Sequence, residues 1–341
     1  MGGNNPIAIQ SMAKTKTSDI NNTIKQIKLL EDAGCQIVRL AIKDQTDAAA
    51  LKKIKAKTRI ALVADIHFSF RLALAAIENG ADKIRLNPGN INKPKEIAAI
   101  ISALKLAKIP LRIGLNSGSV KDIGPKNSSM ADKLVAACLN YVTIIEKLKF
   151  NDIVISLKAN NVLDTVVSYR KIAKLCNYPL HLGVTATGSP YHGIIKSSVA
   201  IGALLLEGIG DTIRVSLTDE PAQEVRAAKC ILESLGLYNC GVQLISCPTC
   251  GRCEVDLVSI VKELEDKLST IDYRASTKPI KLAIMGCVVN GPGEAKEADL
   301  GVAFGKAQGI LFSHGKLIKK ISAKDCVQVL LQELRIIRRD P

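Results

Sequence analysis

Eight short apolar, β-branched runs recur between residues 7 and 217, and each is followed by a stretch with helical spacing of its apolar residues. The runs are IAIQSM (7–12), QIVRLAI (36–42), RIALVADI (59–66), KIRLNP (83–88), PLRIGL (110–115), DIVISLK (152–158), LHLGVT (180–185) and DTIRVSL (211–217). The intervening stretches, such as NTIKQIKLLEDAG and DKLVAACLNYVTIIEKL, are long enough for the helical crossovers that parallel strands require. Gly34 and Gly80 stand where left-handed helix C-caps belong. Eight such units predict an α/β chain built on a (β/α)8 TIM-type barrel over residues 1–236. A doubly wound open sheet is the alternative. It is disfavoured because no GxGxxG opens a helix after the first strand and no P-loop is present.

In a barrel the chemistry sits at the C-terminal mouth, and residues two apart on a strand share a face. Polar residues gather there in same-face pairs: Asp65 with His67, Arg85 with Asn87, Arg112 with Asn116, Ser156 with Lys158 and Arg214 with Ser216, while Arg39 lies within the second strand. Cations inside apolar strands are costly to bury alone. One reading is a ring of buried salt bridges to Asp65, Asp211 or Glu207. Cations outnumber the nearby acids, however, which favours an anionic ligand, and arginine forks suit phosphate oxygens. The turns NPGN (87–90) and NSGS (116–119) offer further N–H donors at helix starts. The pattern predicts a small phosphorylated or diphosphorylated substrate. For His67, ligand contact and a simple hydrogen-bonded role at the mouth remain equally open.

The formal charge of +15 is compatible with nucleic acid, an acidic protein or an anionic substrate. Aromatics make up 3% of the chain, Trp is absent, and the cations lie inside strands rather than along an exposed helix, so a zinc-containing nucleic-acid binder is the weakest reading. No basic-then-apolar leader and no membrane-length apolar run appear, so a soluble, cytoplasmic protein is expected.

After Leu237 the pattern changes. SCPTCGRC (246–253) precedes a helix-like stretch (254–268), then KLAIMGCVVNGPGE (281–294), alternating segments near 300–304 and 309–313, and an amphipathic helix from about Lys324. Residues 237–341 are expected to form a small α/β domain. Of ten cysteines, Cys35, Cys138, Cys176, Cys230, Cys240 and Cys326 read as core or surface residues. Cys247, Cys250 and Cys253 with the remote Cys287 have metal-ligand spacing. A structural zinc usually closes with two paired knuckles, and the second is missing here. A short CxxC run plus one remote Cys beside Gly and Pro suits a [4Fe–4S] cluster. Spacing leaves open whether Cys253 or another group is the fourth ligand.

The segments PIAIQSM, ADIHF, IRLNPGNI, GDTIRVSL, SCPTCGRC and MGCVVNGPGEA closely resemble the 4-hydroxy-3-methylbut-2-enyl diphosphate synthase family of the non-mevalonate isoprenoid pathway, in its shorter bacterial two-domain form. The resemblance spans essentially the whole chain. It implies reductive ring opening and dehydration of 2-C-methyl-D-erythritol 2,4-cyclodiphosphate to (E)-4-hydroxy-3-methylbut-2-enyl diphosphate, with reduced flavodoxin or ferredoxin as electron donor. It also implies that Cys247, Cys250 and Cys287 hold the [4Fe–4S] cluster with Glu294 as a labile fourth ligand. Asn290 would then lie near that iron, and Cys253 would be a bystander. Arg39, Arg85, Arg112 and Lys158 would hold the diphosphate, with Asn87, Asn116, Arg214 and Ser216 in the same pocket. A homodimer is implied as well, the cluster domain of one copy closing over the barrel of the other.

Two departures from that pattern stand out. Ala186 occupies the place of a family glutamate expected to donate a proton, which leaves a water held by Thr185 or Thr187, or an impaired enzyme, as the consequences. The chain also starts at MGGNNPIAIQSM, where relatives carry a further β-like segment. The competing enzyme reading is a barrel acting on another phosphorylated substrate, with a structural or sensing cluster.

Overall fold

The computed structural model describes residues 2–3, 5–120, 128–185, 187–239, 241–269, 279–306 and 308–337. It divides into two compact units, Met1–Leu237 and Tyr238–Pro341.

In the first unit, strands β1 (Ala8–Met12), β2 (Ile37–Ile42), β3 (Ala61–Ile66), β4 (Lys83–Leu86), β5 (Leu111–Asn116), β6 (Ile153–Lys158), β7 (His181–Leu182) and β8 (Thr212–Ile213) alternate with eight helices. These are α1 (Ile20–Asp32), α2 (Gln45–Lys55), α3 (Phe70–Glu78), α4 (Pro94–Ala107), α5 (Met130–Lys147), α6 (Val162–Leu175), α7 (Pro190–Leu206) and α8 (Pro221–Ser234). Local sequence sets the helix starts. Asp19, Asp44, Ser129 and Asn161 accept backbone N–H bonds as N-caps, and α4, α7 and α8 open on proline. All strand pairs are parallel, in the order β6-β5-β4-β3-β2-β1-β8-β7. A parallel bridge between Ile155 and Leu180 brings β6 back to the start of β7 and rounds off the barrel.

The two last ladders are shorter than the apolar runs 180–185 and 211–217 suggest. Beyond Leu182 the chain leaves β8, and the Thr185 N–H bonds Ala159 O at 3.0 Å instead. Gly183 makes that path possible. A Cβ there would stand 2.5 Å from Lys158 Nζ and 2.6 Å from the Arg214 carbonyl oxygen.

The second unit is a five-stranded sheet of β9 (Val242–Ser246), β10 (Ile280–Met285), β11 (Leu300–Phe304), β12 (Gln308–Ser313) and β13 (Lys316–Ser322), ordered β13-β12-β11-β10-β9. The strands β9, β10 and β11 are parallel, and β12 and β13 add on antiparallel. Strand alternation splits its core. Leu282, Ile284, Leu300, Val302 and Phe304 pack with Leu257 and Leu264 of α9 (Leu257–Ser269) and Leu330 and Leu334 of α11 (Cys326–Ile337). Ala283, Met285 and Ala303 face the other way and pack with Ala295 of α10 (Gly291–Glu297). The edge strand β13 had no clear signal in KLIKKIS, where lysines protect an exposed edge. Among the described residues no helix is long and apolar enough to cross a membrane.

Candidate active site

At the C-terminal ends of the barrel strands a cavity of about 210 Å³ is lined by Arg39, Arg85, Asn116, Lys158, Arg214 and Ser216, with Met12, Asp65, His67 and Thr185. Register explains the grouping. Asp65 pairs with Arg85 and Arg85 with Arg112, while Asn116 pairs with Lys158, so their side chains point the same way at matched heights.

Asp65 is the acid at the centre. Arg85 Nη1 donates to its Oδ1 at 3.0 Å, Arg39 Nε lies 3.4 Å from Oδ2, and His67 Nε2 is 3.8 Å away. Burial works to raise its carboxyl, but Arg39, Arg85 and Arg112 outweigh that and hold it at about 2. Arg85 Nη2 also donates to the Gly114 carbonyl at 2.7 Å, and any Cβ on Gly114 would collide with the guanidinium. Arg39 rests against Met12 Sδ, and burial brings its guanidinium down to about 10.

Arg214 reaches Glu224 at the start of α8, with Nε at 3.3 Å and Nη2 at 3.2 Å. Glu224 is buried and also accepts from the Leu217 N–H and Ser11 Oγ. Among the described residues Lys158 has no such carboxylate partner. Its Nζ lies 3.4 Å from His181 Nε2, and burial together with Arg214, Arg39, Arg112 and Arg85 pushes its ammonium well below the usual lysine range. Among the described residues, five cations of the site (Arg39, Arg85, Arg112, Lys158, Arg214) face two buried carboxylates, Asp65 and Glu224.

Two of the expected binders stand back from the cavity. Arg112 is 2% exposed; its Nη1 donates to Gln10 Oε1 at 2.8 Å, while its Nε and Nη2 have no partner among the described residues. Asn87 is buried and ties up its own turn: its Oδ1 takes the Gly89 N–H, and its carbonyl takes those of Asn90 and Ile91. The NPGN donors are therefore consumed internally. NSGS closes on itself too, as a 3-10 turn with Ser119 Oγ accepting from the Asn116 N–H. Ser156 is buried outside the cavity lining. Of the salt-bridge partners considered from sequence, only Asp65 is used. Asp211 accepts the Leu180 N–H, and Glu207 pairs with Arg170 at the surface. Thr185 lines the cavity, whereas the Thr187 hydroxyl donates to the Ser216 carbonyl; Ala186 lies outside the described residues.

Sequence reasoning missed Glu224, Gln10, Lys83 and His181. Strand parity could have found three. Lys83 is two residues before Arg85, Gln10 two before Met12, and His181 precedes Gly183 and Thr185 on the same face.

In the second unit, Cys247 follows β9 and Cys287 follows β10, whose C-terminal ends adjoin in parallel register. The Gly286 N–H donates to Cys247 Sγ at 3.3 Å. The N–H groups of Val289, Asn290 and Gly291, at the start of α10, stabilise the Cys287 thiolate and lower its pKa below the ordinary thiol range. Cys250 is exposed in the loop, next to Thr249 at φ +60°. Cys253 instead tucks under Gly286, where a Cβ would strike its sulfur, and donates to the Val255 carbonyl. Glu294 is exposed in the first turn of α10. Among the described residues no three His, Cys, Asp or Glu side chains are gathered as a metal site; Cys240 lies outside the described residues. The donor set nevertheless suits a [4Fe–4S] cluster, with three thiols on loops and backbone N–H groups already pointing at the sulfurs of Cys247 and Cys287.

Fold and site together define a barrel protein with a cationic mouth and a thiol-bearing α/β unit. Residues 1–229 match the GcpE TIM-barrel domain, and residues 243–336 match the GcpE protein C-terminal domain. The chain belongs to the GcpE family. It is 51% identical over 339 residues to the 4-hydroxy-3-methylbut-2-en-1-yl diphosphate synthase (flavodoxin) of Clostridium perfringens, covering 99% of this chain and 96% of the relative. It is 50% identical over 337 residues to the protein of the same name from Fusobacterium nucleatum, covering 98% and 93%. Among solved structures, the dihydropteroate synthases of Stenotrophomonas maltophilia (TM-score 0.53, 13% identity, 69% of this chain and 95% of that one) and Coxiella burnetii (0.51, 13%, 70% and 96%) share the fold.

Proposed function

We propose that this protein catalyses the reductive ring opening and dehydration of 2-C-methyl-D-erythritol 2,4-cyclodiphosphate to (E)-4-hydroxy-3-methylbut-2-enyl diphosphate. The observation that carries the reading is the excess of buried and half-buried cations lining a small mouth cavity, which calls for a multiply charged anion. The relatives' shared name supports the same substrate class. A carbon–oxygen bond to the diphosphate opens, a hydroxyl leaves as water and a C=C bond forms, balanced by two electrons and two protons.

Arg39, Arg85, Lys158 and Arg214 hold the diphosphate oxygens, with Asn116 and Ser216 completing the lining. Arg112 adds charge from behind it, and Asn87 shapes the adjoining turn. Asp65 keeps Arg39 and Arg85 oriented. The same arginines hold it ionised in the ligand-free site, which suits it to orienting them rather than to donating a proton. Thr185, which lines the cavity, would hold a water for that proton.

Cys247, Cys250, Cys287 and Glu294 would hold the cluster, with Asn290 beside it. When bound, the cluster supplies electrons in single steps and Lewis acidity at one iron. The exposed carboxylate of Glu294 is a more exchangeable ligand than a thiolate. Reduced flavodoxin, the donor in the relatives' name, or ferredoxin delivers the electrons. We extend the proposal to a homodimer. The apolar stripe of Tyr191, Ile195, Val199 and Leu206 on one face of α7, each 46–77% exposed, supports association.

The test is anaerobic purification followed by incubation with the cyclodiphosphate and reduced flavodoxin. A brown, iron-containing protein that forms the linear diphosphate is expected. Stoichiometric zinc in a colourless protein, or iron-loaded protein that forms no product, would refute the reading.

A further inference from the structure

His181 belongs to no role described so far, yet it is 1% exposed in the wall of the barrel and directly touches a cation of the site. Its Nε2 lies 3.4 Å from Lys158 Nζ, and its Nδ1 lies 2.8 Å from Thr212 Oγ1. With an anion in the mouth to offset the neighbouring arginines, Lys158 is an ammonium that can only donate, so the nitrogen facing it must carry the lone pair. The single ring proton of a neutral imidazole is then on Nδ1, where Thr212 Oγ1 accepts it. Burial, with Lys158, Arg112, Arg39 and Lys83 all nearby, pushes the ring far below the ordinary histidine range, so it stays neutral.

The other cations of the mouth are served differently. Arg39 and Arg85 share Asp65, and Arg214 has Glu224. Those carboxylates orient their arginines but cancel part of their charge. The imidazole gives Lys158 a fixed partner and cancels none of it. The surrounding backbone is built for this contact. Gly183, two residues on from His181, leaves room for the ammonium, and Tyr169 fastens the His181 carbonyl to the Leu157 N–H through its hydroxyl.

We infer that His181 is a positioning residue for diphosphate recognition, a neutral acceptor that fixes the Lys158 ammonium with its full charge available to the ligand. The inference rests on the proposed diphosphate substrate, and it assigns the tautomer and partner through which β7 contributes to binding.

The experiment measures binding of inorganic pyrophosphate to the full-length, cluster-loaded protein by calorimetry, together with KM and kcat for the cyclodiphosphate. His181→Phe removes the acceptor and is expected to weaken pyrophosphate about tenfold, in line with loss of a hydrogen bond to a charged group. KM should rise by a similar factor, with kcat within about twofold. His181→Gln, which restores an acceptor, should stay within about threefold of wild type. Thr212→Val touches neither lysine nor ligand but frees the tautomer, and a loss of about threefold to tenfold is expected. In a Lys158→Met background, His181→Phe should have no further effect, because it acts only through the lysine.

An equal loss from His181→Phe in both backgrounds, or a His181→Gln protein as weak as His181→Phe, would overturn the inference. So would a Lys158→Met protein that binds pyrophosphate like wild type. Wild-type protein that binds pyrophosphate with this pattern but never converts the cyclodiphosphate would instead refute the reaction and leave the positioning role standing.

Discussion

Replacing Asp65 by Asn should destabilise the barrel and at the same time tighten its grip on anions. The carboxylate is 3% exposed and lies 3.0 Å from Arg85 Nη1 and 3.4 Å from Arg39 Nε. At an effective dielectric of about 20, each contact carries roughly 5 kcal/mol of Coulomb attraction, most of which offsets desolvation. A net figure comes from the carboxyl itself. Its pKa falls from 3.8 to about 2 on folding, which corresponds to about 2.5 kcal/mol of stabilisation. Removing one member of a buried charge network costs about 3–5 kcal/mol, because the guanidinium groups are left uncompensated. We expect a loss of about 3 kcal/mol at pH 7, read by urea unfolding. The folded pKa is depressed, so the contribution is present above the unfolded value and disappears as pH falls from about 4 towards 2. Wild type and Asp65→Asn should therefore converge in stability at the acid end. Pyrophosphate binding at pH 7 should strengthen by about tenfold as the local acid is removed. A variant as stable as wild type at pH 7, with weaker pyrophosphate binding, would refute Asp65 as the counter-ion of the mouth.

The other predictions concern the second unit and the β7 loop. Glu294→Ala should retain about the full iron content, with a cluster more labile to chelators by absorbance, while turnover falls at least tenfold. Cys250→Ser should lose the cluster, whereas Cys253→Ser should keep it, since Cys253 packs beneath Gly286 and donates to Val255; iron analysis checks both. Thr249→Gly should stabilise the domain by about 1 kcal/mol in thermal unfolding, because a β-branched residue at φ +60° is strained. Ala186→Glu, which supplies an acid next to Thr185 in the sequence, should raise turnover by about 10²-fold; unchanged turnover would show that the existing proton source suffices.

The barrel and most of its mouth were legible because period-two alternation is a property of strands whatever surrounds them. Arg39, Arg85, Asn116, Lys158, Arg214 and Ser216 all line one cavity, as parity required. Parity fixes a face but not a depth, which is why Arg112 and Asn87 lie behind the lining. Glu224 was invisible for another reason. In PAQEVRAAK it reads as an ordinary acid in the first turn of an exposed helix, and only the packing of α8 against β1 and the stretch after β8 buries it beside Ser11 and Arg214. The turns NPGN and NSGS misled because glycine signals a turn but not whether its N–H groups remain free.

The chain's charge, too, has a location that its total conceals. Residues 1–237 carry 32 Lys and Arg against 20 Asp and Glu, while residues 238–341 carry 15 against 12, so the barrel holds +12 of the +15. An electrostatic attraction for an acidic electron donor spread over the whole chain would therefore act mainly on the barrel, with the thiol-bearing unit nearly balanced. Within the barrel the buried cations are the portion that screening reaches least, because they sit in a cavity of about 210 Å³ rather than on the surface. Added salt should accordingly weaken association with an acidic donor more steeply than it weakens binding of the cyclodiphosphate. The two uses of positive charge, steering a protein and holding a diphosphate, then separate by their ionic-strength dependence.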